Sequence, residues 1–169
     1  MSDNAYLKRE YSGGCQCGAV RFHTRRLRPN PHACYCRMCQ KAVGNLYAAL
    51  VATKESDLAW TRGTPATFRS SAHVERGFCA QCGTPLFYRN VESGGLSLTI
   101  GSFDEPHAVP ILFEMGNEGR HRSLPPIPGA RQMGTTEEAD GEEAAAAIAR
   151  SNDQHPDHDT ESWPPRGSA

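Results

Sequence analysis

The chain has 169 residues, 38% of them apolar, with 16 Gly, 12 Pro and a net charge of −1. That is room for one domain of ordinary size with a modest, loop-rich core, a kind that commonly needs a metal or a cross-link. No run of 18 apolar residues exists to cross a bilayer as a helix, and Met1–Glu10 lacks the apolar stretch of a secretory signal, so the reducing cytoplasm is the expected compartment.

Residues 1–130 hold 15 Lys/Arg against 10 Asp/Glu, and residues 131–169 hold 3 against 9. A mildly basic body suits a small anionic substrate, but it falls short of the footprint of a nucleic-acid binder, so no nucleic-acid partner is expected.

Val20, Phe22 and Thr24 alternate with Arg21 and His23, the period-2 pattern of a half-buried strand. Similar runs follow at Leu46–Thr53, Ala66–Arg69, Pro85–Arg89, Gly95–Ile100 and Val109–Met115. Turn residues separate them: Gly13-Gly14, Pro29-Asn30-Pro31, Gly63, Ser93-Gly94-Gly95 and Glu105-Pro106. Short strands with frequent turns predict a mainly β fold with an antiparallel sheet and short helices at most. After Pro125-Pro126-Ile127-Pro128 the chain turns acidic and alanine-rich. Thr135 and Glu138 form a candidate capping box for a short helix through Ala144–Ala149, interrupted by Gly141. Composition predicts a domain over 6–125, then a Pro-rich linker and a largely disordered acidic tail over 126–169.

The seven cysteines fall in three clusters: Cys15 and Cys17; Cys34, Cys36 and Cys39; Cys79 and Cys82. An odd count without an export signal argues against disulfides, and such clustering argues against unrelated buried thiols. The spacings are those of zinc ligands, and seven divides as four plus three. Cys79 and Cys82 form a C-x-x-C turn closed by Gly83, and Cys15 and Cys17 supply the other pair, bent onto a shared ion by turns at Gly13-Gly14 and Gly18. Cys34, Cys36 and Cys39 then hold a second ion alone, which leaves one position open, as in a catalytic zinc site. The alternative is a closed structural site completed by His32, His73 or Asp104. Two zinc ions per chain are expected either way. Arg37 and Arg76 are candidate partners for a ligand carboxylate, or else neutralise the zinc thiolates or lie solvated on the surface. Phe78 and Phe103 read as core rather than pocket.

Ser12–Phe22, the run CYCRMCQK at 34–41 followed by Gly44, Ser70-Ser71 with Arg76–Leu86, and Gly101–Pro106 together resemble the four motifs of the glutathione-dependent formaldehyde-activating enzyme family. The resemblance covers about residues 6–125. It implies a small zinc-stabilised β fold shared with the centromere-protein-V-type domain. A structural zinc would lie on Cys15, Cys17, Cys79 and Cys82, and a catalytic zinc on Cys34, Cys36 and Cys39. The implied activity is that of a carbon–sulfur lyase, S-(hydroxymethyl)glutathione synthase-like, joining a thiol such as glutathione to a small carbonyl such as formaldehyde, or releasing it. The competing expectation is a non-catalytic module with two structural zincs, a thiol carrier or protein-interaction domain. The second motif commonly reads C-H-C, whereas Tyr35 stands between Cys34 and Cys36 here.

Overall fold

The computed structural model describes residues 5–160. In chain order the elements are β1 (Tyr11–Gly14), β2 (Arg21–Thr24), β3 (His32–Cys34), α1 (Arg37–Val43), β4 (Ala48–Thr53), β5 (Leu58–Arg62), β6 (Ala66–Arg69), β7 (Val74–Phe78), β8 (Pro85–Asn90), β9 (Leu96–Thr99), β10 (Phe113–Met115), β11 (Arg131–Gln132), α2 (Thr136–Asp140) and α3 (Glu142–Arg150). Strands β1-β2-β5 make a small sheet, and β11-β10-β3-β4-β9-β8-β7-β6 make a large one. The fold is mainly β, as expected. Pairing is antiparallel except at one edge, where β10 runs parallel to both β3 and β11.

Alternation translates directly into burial. In β9 Leu96 and Leu98 are buried while Ser97 and Thr99 are half-buried, and in β2 Phe22 and Thr24 face inward. Thr24 satisfies its hydroxyl against Thr53 Oγ1 at 2.8 Å, so this buried polar pair carries no desolvation penalty. Phe22 packs edge-on against Phe103 at 5.3 Å and Trp60 at 5.9 Å, and Tyr11 meets Phe103 at 5.5 Å, tying the small sheet to the loop after β9. Phe103 is core, as expected. Phe78 instead is half-buried and lines a cavity of about 450 Å³ beside Arg76 and Phe87.

Gly13-Gly14 is not the expected turn but part of β1. A Cβ on Gly13 would lie 2.4 Å from both the Phe22 ring and the Ser102 carbonyl oxygen, so this glycine permits close packing rather than a bend. Of the run Val109–Met115 only Phe113–Met115 is strand; Pro110 has no N–H to give a ladder.

Within the segment read as linker and disordered tail, residues 131–150 hold β11, α2 and α3, and 126–130 and 151–160 hold no helix or strand. The Thr135–Glu138 capping box forms both of its hydrogen bonds, at 2.7 and 3.3 Å. Ala145 of α3 is buried, Asp153 N–H donates to the Ser70 carbonyl, and Asp157 pairs with Arg37 and Lys41. Of the acidic residues in this segment, Asp157 is the one paired with basic groups of the body among the described residues. Residues 161–169 lie outside the described residues.

Candidate metal centres

Cys15 follows β1 and Cys79 follows β7, so the four-cysteine cluster sits where the small and large sheets meet. Each pair lies on a tight turn completed by a left-handed glycine, Gly18 at φ +77° and Gly83 at φ +76°. Gly18 N–H donates to the Cys15 carbonyl at 3.1 Å and Gly83 N–H to the Cys79 carbonyl at 2.8 Å. The Gln16 N–H reaches Thr84 Oγ1 at 3.1 Å, joining the two turns. The Sγ atoms of Cys15 and Cys17 are 3.5 Å apart, those of Cys17 and Cys79 3.8 Å, and all four lie within 4.8 Å of one another. A tetrahedral ion with metal–sulfur bonds of about 2.3 Å needs sulfurs roughly 3.8 Å apart, so the cluster fits a zinc ion.

The thiols are unequal. The Thr84 hydroxyl, helped by nearby N–H groups, holds Cys82 down to about 5. Burial pushes Cys15 up, but the Val20 N–H at 3.2 Å and neighbouring thiols bring it below its usual value. The Ala19 N–H pulls Cys17 down, yet the other thiols drive it up to about 12. Of the four, Cys82 is the thiol whose surroundings most favour the thiolate form that a metal ligand needs.

The second cluster is built locally. Cys34 ends β3, Cys36 caps α1 and Cys39 lies in its first turn, which gathers three sulfurs within 4.8 Å. Cys34 and Cys39 are buried and Cys36 is half-buried. Hydrogen bonds from Cys34 and Cys36, then the Arg76 charge, hold Cys39 well below its usual value despite burial. Arg76 is buried, with Nη2 3.7 Å from Cys39 Sγ and Nε donating to Ser70 Oγ at 3.2 Å. Cys34 is raised by its bonds to the other two thiols; Cys36 is pulled down by Cys34 but pushed by Cys39 and burial up to about 12.

Among the described residues no fourth His, Cys, Asp or Glu atom lies within 4.8 Å of all three sulfurs. His32 Nδ1 faces the Asn30 carbonyl oxygen at 2.8 Å, His73 pairs with Glu92 at 2.7 Å, and Asp104 is held by Arg21 through two bonds of 2.5 and 2.8 Å. His73 and Asp104 are thus engaged elsewhere, whereas His32 lines the same cavity as the trio with only its Nδ1 bonded, its ring nitrogens outside the 4.8 Å cluster. Of the two candidate carboxylate partners, Arg37 forms a two-pronged pair with Asp157, both bonds 2.9 Å, and Arg76 is turned to Cys39. Both line the cavity described next.

That cavity, of about 660 Å³, opens directly onto Cys34, Cys36 and Cys39. β10 and the segment 133–154 supply much of its wall, including Met115, Met133 and Ile148. These residues were not singled out in the sequence, because the contacts that gather them span most of the chain. Tyr88 also lines it; burial pushes its phenol up to about 12, Arg76 lies over its ring at 5.3 Å, and its hydroxyl has no hydrogen-bond partner among the described residues. Tyr35 turns away from the cavity: it is buried and donates to Glu114 Oε1 at 2.6 Å. Glu114 also receives Arg120 at 2.8 Å, the Ile127 N–H at 3.0 Å and the Gln132 side chain, and Arg120 lies 4.5 Å over the Tyr35 ring. The residue that departs from the usual histidine thus belongs to a buried polar network behind the trio.

Residues 10–114 match the family described as glutathione-dependent formaldehyde-activating enzyme. A protein of Halomonas elongata, named provisionally as such an enzyme, is 32% identical over 83 residues, 44% of this chain and 53% of that protein. An uncharacterized lyase of Schizosaccharomyces pombe is 28% identical over 79 residues, 47% of this chain and 57% of that protein. The chain spans about half the length of the curated relatives it matches. A crystal structure of a Rhodobacter sphaeroides protein aligns with a TM-score of 0.47 and 18% identity, over 72% of this chain and 98% of that one.

Proposed function

The chain belongs to the glutathione-dependent formaldehyde-activating enzyme family, and on that premise we propose that it is a zinc-dependent carbon–sulfur lyase whose three-cysteine site receives a thiol and joins it to, or releases it from, a small carbonyl compound. One observation carries the reading: three thiols at the wall of a 660 Å³ cavity, with no fourth ligand atom of the described residues within 4.8 Å of all three. The four-cysteine cluster is the structural counterpart. Seven free thiols suit a reducing compartment such as the cytoplasm.

A zinc ion held by Cys34, Cys36 and Cys39 would lower the pKa of a thiol in its open position, so that thiolate is available at neutral pH. The chain's own residues supply the rest. Arg76 fixes the Cys39 sulfur and balances part of the charge of three thiolates. In the addition, the thiolate electron pair forms the new S–C bond, the C=O π pair moves to oxygen, and that oxygen takes a proton; release is the reverse. The Tyr88 hydroxyl, in the cavity and unpartnered, is placed to donate that proton and to recover one from water. Met115 and Met133 line the same space and give it an apolar wall.

The test is cobalt substitution followed by thiol titration. Addition of a thiol should alter the visible spectrum of cobalt at the trio, and Cys36→Ser should remove that response while leaving the four-cysteine ion in place. A spectrum unmoved by every thiol tried would leave a module with two structural ions and no chemistry.

A further inference from the structure

We propose that the thiol accepted at this site is uncharged, with an apolar alkyl or aryl body, and not a dicarboxylate such as glutathione. The inference rests on reading the trio as an open thiol site and names its substrate class. The basic balance of the body suggests an anionic ligand, yet the charges that line the cavity argue the reverse.

The wall beside the three sulfurs is apolar. Met38, Leu50, Phe113, Met115, Met133 and Ile148 all line it, so every methionine except Met1 faces this one space. Thioether side chains form an adaptable, polarizable surface that takes irregular apolar ligands. At about 660 Å³ the cavity is of small-molecule size.

The cations in the lining are already used. Both prongs of Arg37 are bonded to Asp157 at 2.9 Å. Arg76 is buried, bonded to Ser70 and Cys39, and stacked over Tyr88. The remaining ionisable groups are His32, whose Nδ1 meets the Asn30 carbonyl oxygen, and three acids: Glu118, whose carboxylate accepts from Thr136, together with Glu137 and Asp140. A ligand carboxylate would shed its water here, displace an existing ion pair and face acidic groups as well as the thiolates, while an apolar body gains about fourfold in affinity for each methylene it buries. Part of this wall, Met133, Ile148 and the acidic residues of α2, lies outside the matched residues 10–114. Asp157, which occupies Arg37, lies outside them too. The preference is thus written in this chain's own C-terminal segment.

The experiment compares two thiols with one skeleton: phenylmethanethiol and 4-(mercaptomethyl)benzoate, with glutathione alongside, titrated calorimetrically into the zinc-loaded full chain. The neutral thiol should bind at least tenfold more tightly than its carboxylate twin and than glutathione. Met133→Lys, with its fold checked by circular dichroism, should weaken the neutral thiol severalfold and narrow the gap. Asp157→Ala, which frees Arg37, should strengthen the carboxylate twin severalfold and leave the neutral thiol unchanged. If glutathione or the carboxylate twin binds as well as the neutral thiol, this inference is overturned while the thiol site stands. If none of the three binds, the proposed function falls with it.

Discussion

Removing one oxygen atom, by Tyr35→Phe, should destabilise the protein without touching its metals. The Tyr35 hydroxyl donates to Glu114 at 2.6 Å, and both residues are essentially sealed from water, with exposures of 1% and 0%. A buried hydrogen bond to a charged group contributes about 2 kcal/mol, and Glu114 keeps its other three partners, so the loss should be near that figure. For a chain of this size that is roughly 4–8 °C in Tm, read by scanning calorimetry on the zinc-loaded protein. The pH dependence follows from the same contacts. Burial pushes the Glu114 carboxyl up, but Tyr35, Gln132, the Ile127 N–H and Arg120 together hold it below its usual 4.5. A carboxyl lowered on folding contributes stability above its unfolded pKa and loses it as pH falls through the lower folded value. Deleting the strongest of the favourable contacts raises that folded value, so the acid-unfolding midpoint should move to higher pH. The metal content should stay at two ions, because Tyr35 faces away from the cavity. A Tm change under 1 °C, or the loss of an ion, would refute this account of the network.

Cys82→Ser should leave the chain unfolded or aggregated, since a structural zinc supplies ~10 kcal/mol or more of folding free energy, whereas Cys36→Ser should stay folded with one ion by elemental analysis. Asp157 is held well below its ordinary value, first by its bond to Arg37 and then by Lys41. Its contacts therefore persist above the usual carboxylate range and weaken as pH falls below it, and amide exchange over α3 and residues 151–157 should quicken in acid or high salt while the sheets stay protected. Gly13→Ala should cost about 2 kcal/mol in urea unfolding, because the new methyl meets the Phe22 ring and the Ser102 carbonyl oxygen at 2.4 Å.

The sequence reveals elements wherever one face is wet. β2, β6 and β9 alternate visibly and lie nearly at the expected bounds, while β8 shows instead as a short apolar run between turns. β5 is half-exposed or exposed along its whole length, so no apolar stripe marks it. β7 hides because Arg76 stands on a buried position, which only its contacts with Cys39, Ser70 and Tyr88 make tolerable. α1 is short and its inward positions hold metal-type ligands rather than a leucine stripe. The two cysteine clusters were legible because their spacing is local. The cavity was not: Arg37 meets Asp157 across 120 residues, and no local pattern connects an acidic tail to a basic helix start.

Chain topology, as well as ligand count, bears on the proposed division of labour between the clusters. An ion at the quartet would fasten Cys17 to Cys79, 62 residues apart, and with them the end of β1 to the β7–β8 turn in the other sheet. Closing a loop of that length removes roughly 4 kcal/mol of unfolded-chain entropy, and closing the five-residue span of the trio about half as much. An ion exchanging its fourth partner at the quartet would put the junction of the sheets at risk in every cycle. The trio holds together only β3 and the start of α1, and β3 is already paired on both sides, by β4 and β10. An ion there could therefore exchange a ligand with the fold left intact, which the proposed turnover requires and which the quartet's place at the sheet junction would not allow.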